Sequence, residues 1–275
     1  MSGNVDTHVH YLDDPYRFDD ERPLHYFADF TKTTNARLAP HPVQVRDGRG
    51  EVERLSLDRE GFTIVRWPTK ITDFIETRAI EPEYIAECED LIRKLTGAVA
   101  TWSAGPIHCR FDGVSDPKER YDGKPAHYVH ADYSDASAAQ TIEHICGEPS
   151  RYARFAIYNI WRVTTPPPQS RPLGVCDASS IGGAEEYESG VTLSYPDGTD
   201  VDFLTTLYRP RAEHRWYYFS DMTPDEVLVF KSHDTDVSRA GRVPHCAFAD
   251  SNVTSGAVRM SIEARILAAF EERAA

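Results

Sequence analysis

From Arg154 onward the chain breaks into short β-prone segments separated by turn residues, and this rhythm limits the folds open to it. The segments are Arg154–Val163, Leu173–Cys176, Val191–Tyr195, Asp202–Tyr208, Arg215–Phe219, Glu226–Ser232, Val243–Phe248 and Val258–Ile266. Pro166-Pro167-Pro168, Pro196-Asp197-Gly198 and Thr223-Pro224-Asp225 punctuate them. Many short strands in series predict a sandwich, jelly roll or barrel. Upstream, an apolar stripe of Tyr84, Ile85, Cys88, Leu91, Ile92 and Leu95 predicts a helix from near Pro82 to Leu95, ended by Gly97. Thr72–Thr77 is expected to form a helical turn, and Asp112–Lys124 a polar loop. The chain therefore reads as mainly β with some α: one domain over 1–275, an irregular or helical part over 1–100, and a β core over 101–275.

Within that core, Tyr128-Val129-His130-Ala131-Asp132-Tyr133 reads as a strand. Residues two apart on a strand share a side, so His130 and Asp132 project together. An imidazole beside a carboxylate is two thirds of the 2-His-1-carboxylate triad that holds non-haem Fe(II) and leaves positions open. Tyr128 and Ser134 share that side and are candidate substrate contacts. A helix is expected after a capping Ser134 or Asp135, running to about Cys146 and closed by Gly147.

The third ligand is expected at His245, in Val243-Pro244-His245-Cys246-Ala247-Phe248. Glu226–Phe230 looks like a strand pairing with it. His233, in Ser232-His233-Asp234, competes but adjoins a loop, and His245 is preferred. Farther on, Arg259-Met260-Ser261 places a guanidinium and a hydroxyl on one strand face, a pair suited to a carboxylate. Arg259, Ser261, Glu263 and Arg265 share one parity; Val258, Met260, Ile262, Ala264 and Ile266 share the other. A polar strand face is costly in a core unless it lines a wet cavity; an edge strand with a solvated face is the alternative. Tyr158 and Arg162 on one face of the 154–163 strand, and Asn159 and Trp161 on the other, are candidate contacts to cosubstrate or substrate; the alternative is that Trp161 is core and Arg162 a surface cation. Tyr217, in an aromatic strand, is a candidate pocket wall or a packed core residue.

A second histidine motif, Asp6-Thr7-His8-Val9-His10, resembles the metal strand that opens amidohydrolase barrels. The later sequence lacks the matching alternation of strand and helix, and the simpler reading is an N-terminal strand with surface histidines.

Charge and cysteines restrict the partners. The net charge of −14 argues against a nucleic-acid backbone or anionic membrane as partner. The first residues lack the basic and apolar regions of a signal peptide, and no apolar run is long enough to span a bilayer. The 5 cysteines include no C-x-x-C pair, which fits reduced thiols and a cytoplasmic location. A small-molecule substrate is expected; a homo-oligomer is compatible with the sequence.

The blocks from His130 to Arg265 resemble the oxygenase family of the cephamycin methoxylation component, the fungal gibberellin desaturase and the fungal endoperoxide-forming enzymes. The resemblance is carried by His130-Ala131-Asp132-Tyr133-Ser134, Asn159-Ile160-Trp161-Arg162, Pro172–Asp177, Trp216–Phe219, Asp225–Lys231, Pro244–Phe248 and Arg259–Arg265, with Gly61–Thr69 and Thr96-Gly97-Ala98 upstream. It implies a double-stranded β-helix of the jelly-roll or cupin-like kind, with supporting N-terminal helices. It further implies Fe(II) held by His130, Asp132 and His245, with 2-oxoglutarate and O2 as cosubstrates. Arg259 and Ser261, with Tyr158 and Arg265, would then bind 2-oxoglutarate. The expected reaction oxidises a small specialised metabolite while 2-oxoglutarate is decarboxylated to succinate. His233 departs from the family pattern, where an aromatic residue is expected. A cupin-like dioxygenase or isomerase without 2-oxoglutarate is the alternative; it would keep the metal residues but not need Arg259.

Overall fold

Two facing β-sheets frame the fold, and they put the strands bearing His130 and His245 opposite the strand that follows Arg259. In the computed structural model, residues 3–13, 24–27, 36–74, 77–112, 125–194, 200–253 and 258–272 are described. In chain order the elements are β1 (Val5–Leu12), β2 (Leu24–Phe27), β3 (Leu38–Asp47), β4 (Phe62–Arg66), α1 (Thr77–Thr96), β5 (Ala100–Ser103), β6 (His108–Phe111), β7 (His130–Ala131) and α2 (Asp135–Cys146). They continue with β8 (Tyr152–Val163), β9 (Leu173–Cys176), β10 (Glu186–Ser194), β11 (Asp200–Tyr208), β12 (Trp216–Tyr218), β13 (Glu226–Asp234), β14 (His245–Ala247) and β15 (Met260–Glu272). The larger sheet runs β1-β3-β12-β9-β14-β7-β11-β10-β2; the smaller runs β4-β13-β8-β15-β5, with β6 also on β15. This is the double-stranded β-helix expected from the sequence. The turn at residues 196–198, Tyr195 and most of the 112–124 loop lie outside the described residues.

The parity of β15 explains how the smaller sheet is built. Ile262, Ala264, Ile266 and Ala268 pack with Tyr84, Cys88, Leu91 and Ile92 of α1, so one face of the sheet is sealed by the helix. The opposite face carries Glu263 and Arg265 into the space between the sheets. α1 begins earlier than its proline suggested, with Pro82 inside the helix. A helix tolerates the lost N–H there because the stripe anchors the following turns. Gly97 ends it at φ 74°, a conformation glycine adopts freely. No helical turn forms over the described part of Thr72–Thr77 before α1 begins.

The expectation of an irregular or helical 1–100 needs correction. Strands β1 to β4 lie there, and they join both sheets. Pro40 and Pro42 hide β3, since proline within a run argues against a strand. They are tolerated because β12 pairs with β3 only over residues 45–47, leaving the proline stretch with β1 as its partner. His10 bridges Tyr128, and the Val129 N–H donates to the His10 carbonyl at 2.8 Å, tying β1 back to the segment before β7. The ring so closed is filled by Val9, Tyr11, Val45, Trp216, Tyr218 and Phe248. His8 points outward from this strand. Among the described residues, the only cluster of three metal-ligating side chains lies elsewhere.

Candidate metal and cosubstrate site

β7 and β14 are adjacent and antiparallel, and their register sets His130 directly opposite His245. The ring centroids are 4.4 Å apart. Asp132 Oδ1 lies 3.6 Å from His130 Nε2 and 3.9 Å from His245 Nε2. One ligand atom from each residue falls within 4.8 Å of the others. Backbone carbonyls fix the ring orientation: His130 Nδ1 is 2.9 Å from the Tyr128 oxygen, and His245 Nδ1 is 3.1 Å from that of Val243. A proton held at each Nδ1 leaves both Nε2 lone pairs free for a metal. The Phe230 ring packs on His245 at 4.7 Å. It reaches there from the opposite sheet: β13 pairs with β4 and β8, not with β14 as expected.

The expected strand at 128–133 is reduced to two residues, and Asp132 stands in the bend after it. Its carboxylate meets the histidines because the chain turns toward α2, not because of strand parity. Burial, then the neighbouring His245, pulls His130 down to about 4, and burial lowers His245 too. Burial alone would raise Asp132, but Arg265, His245, His130 and the Asn159 amide outweigh it and hold the carboxyl below the usual range. Neutral imidazoles and an ionised carboxylate are the forms that ligate a metal.

The three residues sit in the wall of a cavity of about 1100 Å³ between the sheets. Arg259, Glu263 and Arg265 line it from β15 and the residue before it, with His108 and Arg110 from β6. Arg259 is buried, and its Nε and one terminal nitrogen have no hydrogen-bond partner among the described residues. Its guanidinium stacks 5.5 Å over the Trp161 ring. Burial brings Arg259 down to about 10, with Asp112 opposing and Arg110 reinforcing. Ser261 Oγ is likewise buried without a partner, although Ser261 is not part of the cavity lining. Orphaned cationic donors facing the cavity that holds the triad fit a dicarboxylic cosubstrate spanning metal and guanidinium.

Other expected residues are distributed differently. Tyr128 lines the cavity. Asn159 Nδ2 donates to Asp132 Oδ2 at 2.5 Å, and Nε of Arg265, which also lines the cavity, lies 3.4 Å from the same oxygen, so both reach the candidate ligand Asp132. Ser134 caps α2: its Oγ accepts from the Ser137 N–H, and its own N–H donates to Ser137 Oγ. Tyr158 belongs to the core under α1. Arg162 is buried on that side too, donating to the carbonyls of Pro224 and Trp67 and facing the Tyr84 hydroxyl. Tyr217 packs against Phe62 at 5.6 Å. None of these last four lines the cavity; they were expected near it because parity gives a face but not which layer covers that face. His233 lies 3.7 Å from Asp135, outside the triad. Cys246 is buried, and burial pushes its thiol up. A wall the sequence reading missed comes from Ser137, Gln140, Thr141 and His144 of α2, facing Val191 and Phe203 of β10 and β11. Their spacing of three and four along one helix is the signal that would have revealed a polar inner face.

Fold and site together define a candidate metal-dependent enzyme of the double-stranded β-helix class. A family model described as an oxidoreductase/YMDC permease-like domain matches residues 9–269. The hydroxylase/desaturase efuI of Hormonema carpetanum is 32% identical over 264 residues, covering 88% of each chain. The Fe(II)/2-oxoglutarate-dependent dioxygenase nvfI of Aspergillus novofumigatus is 28% identical over 85% of this chain and 84% of its own. A solved structure of the iron and alpha-ketoglutarate-dependent endoperoxidase NvfI superimposes with a TM-score of 0.86 at 25% identity, covering 99% of both chains. The chain belongs to this oxidoreductase family and is an Fe(II)/2-oxoglutarate-dependent oxygenase, with His130, Asp132 and His245 as its candidate iron ligands.

Proposed function

We propose that this oxygenase hydroxylates or desaturates a small, amphipathic specialised metabolite, and that Arg259, helped by Ser261, holds the distal carboxylate of 2-oxoglutarate. The observation that carries this reading is the buried Arg259 guanidinium with unpaired donors, in the wall of the cavity that the triad shares. When bound, Fe(II) and 2-oxoglutarate supply oxygen activation coupled to decarboxylation of the cosubstrate. The chain's own part is positional. His130 and His245 offer Nε2 lone pairs from one side, and Asp132 offers Oδ1 beside them. Arg259 anchors the far end of the cosubstrate, and the α2 face with Val191 and Phe203 receives the substrate. Apolar wall residues such as Leu173, Val191, Phe203 and Leu204 exclude water around the target C–H bond. A similar role in specialised metabolism is supported by the hydroxylase/desaturase and dioxygenase names of the relatives. The same reading makes a small molecule its partner, with no role for nucleic acid or membrane. No helix among the described residues is long and apolar enough to cross a membrane. Cytoplasmic placement rests on the free thiols.

Anaerobic addition of Fe(II) and 2-oxoglutarate to metal-free protein tests the reading. The weak visible charge-transfer band of the chelate is expected in wild type and in His233→Ala, and is expected to vanish in His245→Ala. No band in wild type, or a band kept in His245→Ala and lost in His233→Ala, overturns the assignment.

A further inference from the structure

We infer that Ser232, Asn159 and Arg265 form a positioning device that makes Asp132 a one-oxygen metal ligand. The inference rests on the triad reading above but concerns residues outside it. Asp132 lies beyond the end of β7, so strand geometry does not orient its carboxylate. Its orientation is set from the opposite sheet. Asn159 on β8 and Arg265 on β15 are direct cross-strand partners, and both reach Asp132 Oδ2. Oδ1 is left facing the Nε2 atoms of His130 and His245.

The Asn159 amide is itself oriented. Ser232 Oγ donates to Asn159 Oδ1 at 2.5 Å, and with its oxygen so engaged the amide must present Nδ2 to Asp132. A flipped amide would set oxygen against carboxylate. Ser232 reaches Asn159 because of a register shift: β13 pairs Lys231 with Tyr158 and His233 with Ile157, so Ser232 is the extra residue of a bulge. Bulges re-aim side chains in this way. Asn159 and Ser232 are fully buried, leaving no water to substitute freely for either donor. Arg265 is held in turn by Glu263, 3.4 Å away. Three strands of the smaller sheet thus fix one oxygen of a residue attached to the larger sheet.

Mn(II) binding to metal-free protein, followed by calorimetry, tests this together with the visible spectrum of the Co(II) form. Asn159→Ala and Arg265→Met are expected to bind Mn(II) about 10- to 100-fold more weakly, the range for lost outer partners of a ligand. Ser232→Ala, which deletes one oxygen, is expected to weaken it less. Asn159→Asp keeps the side-chain shape but sets a second carboxylate against Asp132, and is expected to fall below Asn159→Ala. The Co(II) bands should shift in all four as Oδ2 becomes free to enter the coordination sphere. Arg265→Lys, which keeps a cation near Oδ2, should recover part of the affinity. Folded variants that bind Mn(II) within twofold of wild type, with unchanged Co(II) bands, overturn the inference. Should the larger truncations fail to fold, Ser232→Ala and Asn159→Asp decide it alone. Wild type that fails to bind Mn(II) instead sinks the triad reading itself, so the two failures are distinct.

Discussion

Arg259 is buried with two nitrogens unpaired, an arrangement that costs several kcal/mol unless an anion completes it. In its proposed role Arg259 makes a charge-assisted, two-point contact to the cosubstrate, and truncating it would remove about 2–4 kcal/mol of binding. Arg259→Met is therefore expected to weaken 2-oxoglutarate binding roughly 30- to 700-fold while leaving Mn(II) affinity near wild type. Titration of each ligand in the absence of the other separates the two. At this scale the sequence was informative where chemistry and spacing coincide. His130, Asp132, His245 and Arg259 carry functional groups that are hard to place in a core without a purpose, and all four line one cavity. Tyr158, Arg162 and Tyr217 carry equally suggestive groups, yet they point into packed layers. Which side of a strand meets the ligand depends on what packs against the other side, and no local pattern contains that.

Among the elements, α2 shows the same division of labour. Its start was legible, because Ser134 precedes a helical run and its hydroxyl satisfies a free N–H. That same bond occupies the Ser134 side chain, which was also expected to meet substrate. Ser134→Ala is expected to lower stability by about 1 kcal/mol through loss of the cap, with little change in turnover. Urea midpoints and single-turnover rates check the two halves. β3 was not legible, since its prolines argue against a strand unless one knows that part of it has only one neighbour. The bulge at Ser232 was equally hidden, because it exists only as a mismatch between two strands far apart in the chain.

For the whole molecule, the buried ligand set links stability to pH. His130 titrates near 4 when folded and near its ordinary value of 6.5 when unfolded. Between those values the unfolded chain binds more protons, so stability rises with pH there and is lost as pH falls from about 6.5 toward 4. The shift corresponds to on the order of 3 kcal/mol for metal-free protein once both forms are protonated. Urea midpoints of metal-free wild type are expected to fall across this window, and to fall less in His130→Gln. Bound metal should steepen the loss, because it requires neutral imidazoles.

The sequence by itself determined a series of many short strands, with two histidines, an aspartate and an arginine suited to iron and a dicarboxylate. Alternation and turn residues are local properties, and ligand chemistry belongs to side chains. Only the tertiary structure decided that β7 and β14 are neighbours, that Asp132 is steered from the facing sheet, and that Arg162 and Tyr158 belong under α1. Those outcomes depend on register and on which layers meet. Both are set by the joint burial of segments that lie from tens of residues to more than a hundred apart, beyond the reach of any local pattern.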